Sequence, residues 1–479
     1  MHRALLLALA LLFAGAANAF AQSAYDPKPW LDDLAQMHDA FSEKYANFEW
    51  AVFDHEVDLA ALFADTKKRV ETAGNDAAAR AAFDRLIRRL DDGHVELHWP
   101  AHTEQANTPP FPCADYDPAH GTTPLAAYAQ GYVSIETPQS DAFPIGIITS
   151  GKHRVGVIKI KMFYPSFRPA YCQGALAALS IPADKPCDDA CADSINEWTQ
   201  TRMNEDFIAQ IKALEHAKID TLLVDIAGNG GGSQWWAAAD RTVTAIRLSS
   251  HRSGFARGAH WVKKLGKLEA DLRAAAEKAP PEDRKLLLAY ADQVAAKKTV
   301  AATPCDASPL WTGKPPACPW LGEGFYDTGI LPSADPEKLR GKPWAWLVFK
   351  PIEYQYTEGL WRGPLIVLVD NGSASSSERF ASELQDNHAA LIMGEPTYGA
   401  VGGHTDGGTP TTLTHSGAIL VLPDISDLPA NGRYARGSVV PDLLIGFRRG
   451  DGPHLRAEAF LAKLPEALAM VKYPLKSKH

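Results

Sequence analysis

"GPLIVLVDNGSASSSERF", residues 363 to 380, decides how the chain is to be read. Leu365 to Val369 is an unbroken apolar run of strand length, the pattern of a strand covered on both faces. Asn371-Gly372 then turns the chain, and serines at 373, 375, 376 and 377 precede a charged helix start. Ser375-Ser376-Ser377-Glu378 fits a capping box, in which a hydroxyl satisfies an orphan N–H of the helix and the glutamate reaches back. The same serines also stand where a buried strand hands over to a helix, at the carboxyl edge of a sheet beside unpaired backbone N–H groups. A hydroxyl there is placed to attack, although the G-x-S-x-G elbow is absent.

A second handover of this kind lies upstream in "IDTLLVDIAGNGGGSQWW", residues 219 to 236. A glycine turn that aims backbone N–H groups at a developing oxyanion supplies donors worth on the order of 10² to 10³ in rate each. Its plainer use is a tight strand-to-helix turn. A nucleotide site is the weaker alternative, because G-x-x-x-x-G-K-[ST] is missing and Ser233 stands where G-x-G-x-x-G needs its last glycine. Trp235 and Trp236 either line a substrate pocket or pack a core.

Around these two segments the periodicity alternates. "RVGVIKIKMF" (154–163) reads as a strand, and "EDFIAQIKALEHAK" (205–218) as a helix with Phe207, Ile208, Ile211 and Leu214 on one face. The pattern resumes with "AWLVFKPIEY" (345–354), the helix "SERFASELQDNH" (377–388), "ALIMGEPTYGA" (390–400), "GAILVLPD" (417–424) and "VVPDLLIG" (439–446). Strand, helix, strand predicts an α/β core. Residues 257 to 300 are rich in Ala, Lys, Glu and Leu, broken at Pro280-Pro281, and predict a helical hairpin that splits the core as solvated surface or as a lid. From Pro27 to Leu90 apolar residues recur at three and four, which predicts a helical N-terminal domain. "LDDGHVELHWP" (90–100) follows, with an Asp-Gly turn and then Val95, Leu97 and Trp99 alternating with His94, Glu96 and His98. One face of that strand is apolar and the other carries His, Glu and His.

The chain opens MHRALLLALALLFAGAANAFAQS, a basic start, an apolar stretch and small residues in A-x-A form, which predicts a secretory signal cut after Ala19 or Ala21. No segment reaches the ~20 apolar residues that span a bilayer, so the expected product is exported, periplasmic or secreted, and not membrane-embedded. A net charge of −9 over 479 residues, with no basic stripe interleaved with aromatics, disfavours nucleic-acid binding. Six cysteines allow three disulfides in an oxidising compartment, with Cys305 to Cys318 the simplest local clip. Cys187-x-x-x-Cys191 has no nearby histidine to make it a structural metal site. No metal or organic cofactor is implied. The expected boundaries are 1–21 signal, 22–92 helical domain, 93–245 first half of the core, 246–343 helical and disulfide-clipped insertion, 344–450 second half, and 451–479 C-terminal helix and tail.

"GSASSSERFASELQDNHAALIMGEPTYGA" resembles the signature segment of the tail-specific, or carboxyl-terminal processing, serine peptidases. "LLVDIAGNGGGS" is similar to that family's D-L-R-x-N-x-G-G segment, and "GSVVPDLLIG" to its closing G-V-x-P-D. The resemblance, over about residues 145–245 and 345–445, implies a split ClpP/crotonase-like α/β core. It implies Ser375 as nucleophile, with an oxyanion hole from the backbone N–H of Ser376 and from Gly230 or Gly231. The lysine that serves as general base in the processing peptidases falls on Ala400. A second branch, resembling the tricorn-core and chlamydial secreted peptidases, uses a histidine from an upstream D-G-H segment, which implies His94. Histidine suits the role because its unperturbed pKa near 6.5 lets it take and return a proton at neutral pH.

In that branch a glutamate precedes the closing P-D, but Ala435 stands about there. Glu96, Glu378 and Asp406 are the other acids on offer, His404 is a weaker alternative base, and His98 and His415 read as structural. The roughly fifty residues between "HWP" and "VGVIKI" are too few for the family's PDZ domain of ordinary size. The expectation is an exported serine peptidase acting on a peptide or protein substrate. The alternative is a catalytically degenerate relative that binds peptides or a small ligand without cleaving them.

Overall fold

The structure, a computed structural model, describes residues 25–100, 111–116, 123–400, 402–405, 408–428, 437–448 and 450–471. The expected signal segment, Asp406 and Ala435 lie outside the described residues.

Three helices begin the chain: α1 (Pro27–Lys44), α2 (Leu59–Glu71) and α3 (Asp76–Leu90). Asp26 caps α1 by accepting from Lys28 N, with Pro27 pre-set for the first turn, and Asn75 caps α3 by accepting from Ala78 N. Asp91 in the left-handed region ends α3 and releases the chain into the turn that carries His94. Strand β1 (Glu96–His98) follows, then β2 (Tyr132–Ile135), β3 (Ile145–Ser150) and β4 (His153–Lys159). Helices α4 (Pro169–Leu179) and α5 (Asp189–His216) lead to β5 (Thr221–Asp225), the glycine turn and α6 (Trp236–Thr242).

After β6 (Arg252–Ala256) comes the hairpin α7 (Ala259–Lys278) and α8 (Pro281–Ala301), then three single-turn helices around β7 (Leu321–Tyr326): α9 (Ser308–Trp311), α10 (Pro336–Leu339) and α11 (Ala345–Val348). "AWLVFKPIEY" forms α11 and a 3₁₀ turn. The chain closes with β8 (Leu365–Val369), α12 (Ser376–Asp386), β9 (Leu391–Gly394), β10 (Thr411–Thr412), β11 (Ile419–Val421), β12 (Ile425–Leu428), β13 (Leu443–Leu444) and α13 (Pro453–Met470).

Seven strands make the main sheet in the order β13-β9-β8-β5-β4-β3-β2, parallel from β13 to β4 and antiparallel at β3 and β2. Residues 132–135 and 145–150 thus extend this sheet as β2 and β3. Period-two burial divides each central strand between two cores: Leu365, Val367 and Val369 of β8 face the side of α5, α6 and α12, while Ile366 and Leu368 face α13. That is why the strand reads as a continuous apolar run. The α/β class with a helical N-terminal region is as expected.

Two small antiparallel sheets flank the main one, β12-β6-β7 and β1-β11-β10. The second brings the two ends of the chain together, with Glu96 opposite Val421 and His98 opposite Ile419. The core under α1 to α3 therefore takes Leu413, Leu420 and Leu422, and also Trp320, which directly precedes β7. Disulfides join Cys113 to Cys172, Cys187 to Cys191 and Cys305 to Cys318, so the Cys187/Cys191 pair is a clip.

Candidate active site

β5 and β8 are parallel neighbours, so the loops at their carboxyl ends lie side by side. Asp370 ties them, its Oδ1 accepting from Gly228 N at 2.7 Å and from Gly372 N at 2.9 Å. Three of the four serines complete the seam. Ser373 Oγ donates to Ile226 O (2.9 Å), Ser376 Oγ to Gly232 O (3.0 Å) and Ser377 Oγ to Asn229 O (2.7 Å). The fourth, Ser375, is held differently: its Oγ lies 3.0 Å from Nε2 of His94.

Ser375 stands at φ 54°, ψ −118°, outside the regions an L-residue ordinarily occupies, a conformation of the kind that costs roughly 1–3 kcal/mol. Glu378 holds it there. Oε2 of this buried carboxylate accepts the N–H of Ser375 and that of Ala400, each at 2.9 Å, and Oε1 accepts from Thr397 Oγ1 (2.6 Å) and Gly399 N (2.7 Å). Burial pushes the Glu378 carboxyl above its ordinary pKa, and these donors pull part of the way back. The glutamate read as a cap thus also braces the loop in which the family lysine would stand.

His94 sits in the turn ahead of β1, not on the strand's polar face as expected; Glu96 and His98 are on that face, exposed and paired with each other at 2.7 Å. Asp92 fixes the turn. Its Oδ1 accepts the N–H of His94 at 2.9 Å while Oδ2 accepts from Tyr45 Oη and Asn47 Nδ2, also at 2.9 Å, which anchors the turn to the helical region. His404 approaches from the other side, its Nε2 lying 2.8 Å from the carbonyl oxygen of His94. A carbonyl only accepts, so Nε2 of His404 carries the proton. Asp92 went unnoticed as a site residue, although the Asp-Gly turn containing it was on view; its reach to Tyr45 and Asn47 is a tertiary contact without a local pattern. His415 packs edge-on against Trp30.

The glycine turn presses on Ser375. Gly231 has φ +106°, and a Cβ there would lie 2.8 Å from both Ala374 O and Ser375 Cβ. Its N–H donates to Asn229 Oδ1 at 2.9 Å. The N–H groups of Gly230, Gly232 and Ser376 make no hydrogen bond among the described residues, and of the three glycines only Gly232 lines the cleft with Ser375. Of the two glycines expected as donors, Gly231 has its N–H engaged by Asn229 and Gly230 does not line the cleft. The cleft, of about 510 Å³, is also lined by Trp236, Trp346 and Lys350. Trp235 is wholly buried, its Nε1 donating to Asn204 Oδ1, so the tryptophan pair divides between core and cleft. Among the described residues no cluster of His, Cys, Asp and Glu could hold a metal ion, and no helix is long and apolar enough to cross a membrane.

A family model described as Peptidase family S41 matches residues 192–445. Ser375 falls within that span and His94 ahead of it. The carboxyl-terminal-processing peptidase 2, chloroplastic, of Arabidopsis thaliana is 61% identical over 36 residues, 8% of this chain and 7% of the relative. The match therefore covers a small part of either protein. Among solved structures, mature CPAF superposes with a TM-score of 0.55 at 14% identity, covering 92% of this chain and 97% of that one. Mature CPAF complexed with lactacystin gives 0.54 at 13% identity, covering 92% and 98%. At such identities the likeness is one of fold.

Proposed function

Because the chain belongs to Peptidase family S41, we propose that it is an exported serine peptidase in which Ser375 is the nucleophile and His94 the general base. The observation that carries this reading is the 3.0 Å approach of His94 Nε2 to Ser375 Oγ, within the reach proton transfer needs. With the imidazole proton on Nδ1, Nε2 takes the hydroxyl proton as Oγ adds to the peptide carbonyl carbon. The oxyanion so formed is held by the N–H groups of Ser376, at the first turn of α12, and Gly232. Nε2 then gives its proton to the departing amine, leaving an acyl-Ser375. Water, deprotonated by the same nitrogen, releases the acid and restores the serine.

Ala400, where the processing branch has its lysine, supports the histidine-using branch, and the bond from His404 Nε2 to the His94 carbonyl argues for His404 as a positioning residue rather than the base. An aligned serine and histidine favours catalysis over the degenerate binding protein. Export is supported by the leader-like residues 1–21 and by three disulfides. N-terminal sequencing of the mature protein is expected to begin after Ala19 or Ala21.

The deciding experiment is fluorophosphonate labelling of the purified protein. Wild type is expected to label on Ser375, Ser375→Ala not at all, and His94→Ala at least a hundredfold more slowly. Labelling that survives Ser375→Ala sinks the nucleophile. A folded wild type that never labels returns the binding-protein reading.

A further inference from the structure

The hairpin α7/α8 adds no strand to the main sheet, yet α7 walls a second cavity that opens off the cleft. This cavity, of about 410 Å³, meets the cleft at Gln234, Asp327, Trp346, Lys350, Thr405 and Ile425. Its inner wall is apolar: Leu265 and Leu268 of α7, Phe255 of β6, Phe325 of β7, and Leu347. Trp261 stacks on Phe255 with ring centroids 4.9 Å apart. Trp346, 46% exposed, stands where the two spaces join.

This wall is braced rather than loose. Trp261 Nε1 donates to Asp424 O at 2.7 Å, and Lys264 Nζ reaches Asp424 Oδ2 at 2.5 Å and Thr405 Oγ1 at 2.8 Å. Asp424 Oδ1 in turn accepts from Thr405 N at 3.0 Å, one residue from His404. The helix that lines the cavity is therefore fixed to the loop that holds the histidine turn. A pre-formed space that opens off the cleft of Ser375, with a largely apolar wall and with Lys264, Lys267 and Asp271 of α7 along its rim, has the character of a subsite.

We propose that this cavity receives a large apolar side chain of the peptide substrate, aromatic or leucine-sized, and that Trp261 and Leu268 set the preference. The proposal rests on the peptidase reading given above. A chain whose carbonyl lies at Ser375 runs past Trp346 and turns one neighbouring side chain into the space. Filling it removes apolar surface of both partners from water, whereas alanine leaves it unfilled and aspartate desolvates a charge there.

The test uses fluorogenic peptides identical except for one residue, set in turn to Phe, Leu, Ala and Asp at each position flanking the cleaved bond. At one position wild type is expected to show kcat/KM for Phe or Leu about tenfold or more above that for Ala. In Leu268→Glu and, separately, Trp261→Ala, that ratio is expected to fall to within about threefold; being internal to each variant, it does not depend on the amount of folded protein. No apolar preference at any position in a wild type that labels on Ser375, or a ratio unchanged in both variants, overturns the subsite and leaves the peptidase reading standing. If wild type neither labels nor cleaves, the same peptides are tested for binding to the Ser375→Ala protein by fluorescence anisotropy. There about tenfold tighter binding of the Phe peptide than the Ala peptide supports the cavity, and equal binding overturns it.

Discussion

The carboxylate of Glu378 and the backbone N–H of Ser375 are joined at 2.9 Å, and this bond closes a ring through the first turn of α12 around a serine whose φ is +54°. Removing the carboxylate frees the strained residue, takes the acceptor from Thr397 Oγ1, which keeps only the N–H of Val439, and orphans the N–H groups of Gly399 and Ala400. Glu378→Ala is expected to lose on the order of 1–3 kcal/mol in urea unfolding and to label with fluorophosphonate at least tenfold more slowly. Unchanged labelling in a folded variant counts against the brace.

Asp92 holds His94 by its backbone, so its effect is expected on turnover rather than on substrate affinity. Asp92→Ala removes the acceptor of the His94 N–H and leaves Tyr45 Oη and Asn47 Nδ2 without it. A displacement of the imidazole of about 1 Å corresponds to roughly a hundredfold in rate. Steady-state kinetics are expected to show kcat falling on that order with KM within a few-fold.

His404→Phe tests which histidine transfers the proton. Phenylalanine keeps a planar ring of similar breadth but has no N–H, so the bond to the His94 carbonyl is lost. Labelling slowed about three- to thirtyfold fits a positioning residue, and a slowing of about a hundredfold or more, with His94→Ala less affected, assigns the base to His404 instead.

The glycine turn offers a contrast within three residues. A Cβ on Gly230 meets nothing within 4 Å, whereas on Gly231 it collides with Ala374 and Ser375. Gly230→Ala is expected to keep at least a third of wild-type labelling. Gly231→Ala is expected to lose more than a hundredfold, because its cost falls on the loop of Ser375, the proposed nucleophile.

His260, at the start of α7, predicts how the fold responds to acid. Burial lowers its pKa to about 4, with Lys44 and Lys264 adding to the effect and Asp424 opposing it. Folded protein therefore keeps the ring neutral between pH 6.5 and 4 while the unfolded chain takes up a proton. Stability from this residue is present above the unfolded value and is lost as pH falls through that window. Thermal unfolding is expected to show a Tm that drops from pH 7 to pH 4.5, with a smaller drop in His260→Gln.

The α/β class was legible because β5 and β8 are covered on both faces, which leaves a continuous apolar run and a turn that no solvent-facing strand shares. The proposed nucleophile, Ser375, stands out for a related reason: its motif is local, and the loop chemistry around a strand end is written in consecutive residues. What the sequence concealed lies in contacts between distant segments. Gly231 and Gly232 look alike in "GNGGGS", and only the side chain of Asn229 separates the committed N–H from the one left open to the cleft. Glu378 read as a helix cap because one of its four bonds is local and the other three are not. Residues 123–150 carry short alternations with loop composition, and their place at the edge of the main sheet follows from pairing with β4.

The pairing of β1 with β11 also sets an order of events. His94 and Ser375 are 281 positions apart, and the turn bearing the histidine is held by a strand and a loop made after the serine. A chain cut short before Ile419 lacks the strand that pairs with β1 beside the histidine turn. On the proposed reading, in which His94 is the general base, hydrolytic power arrives only with the last strands to be made.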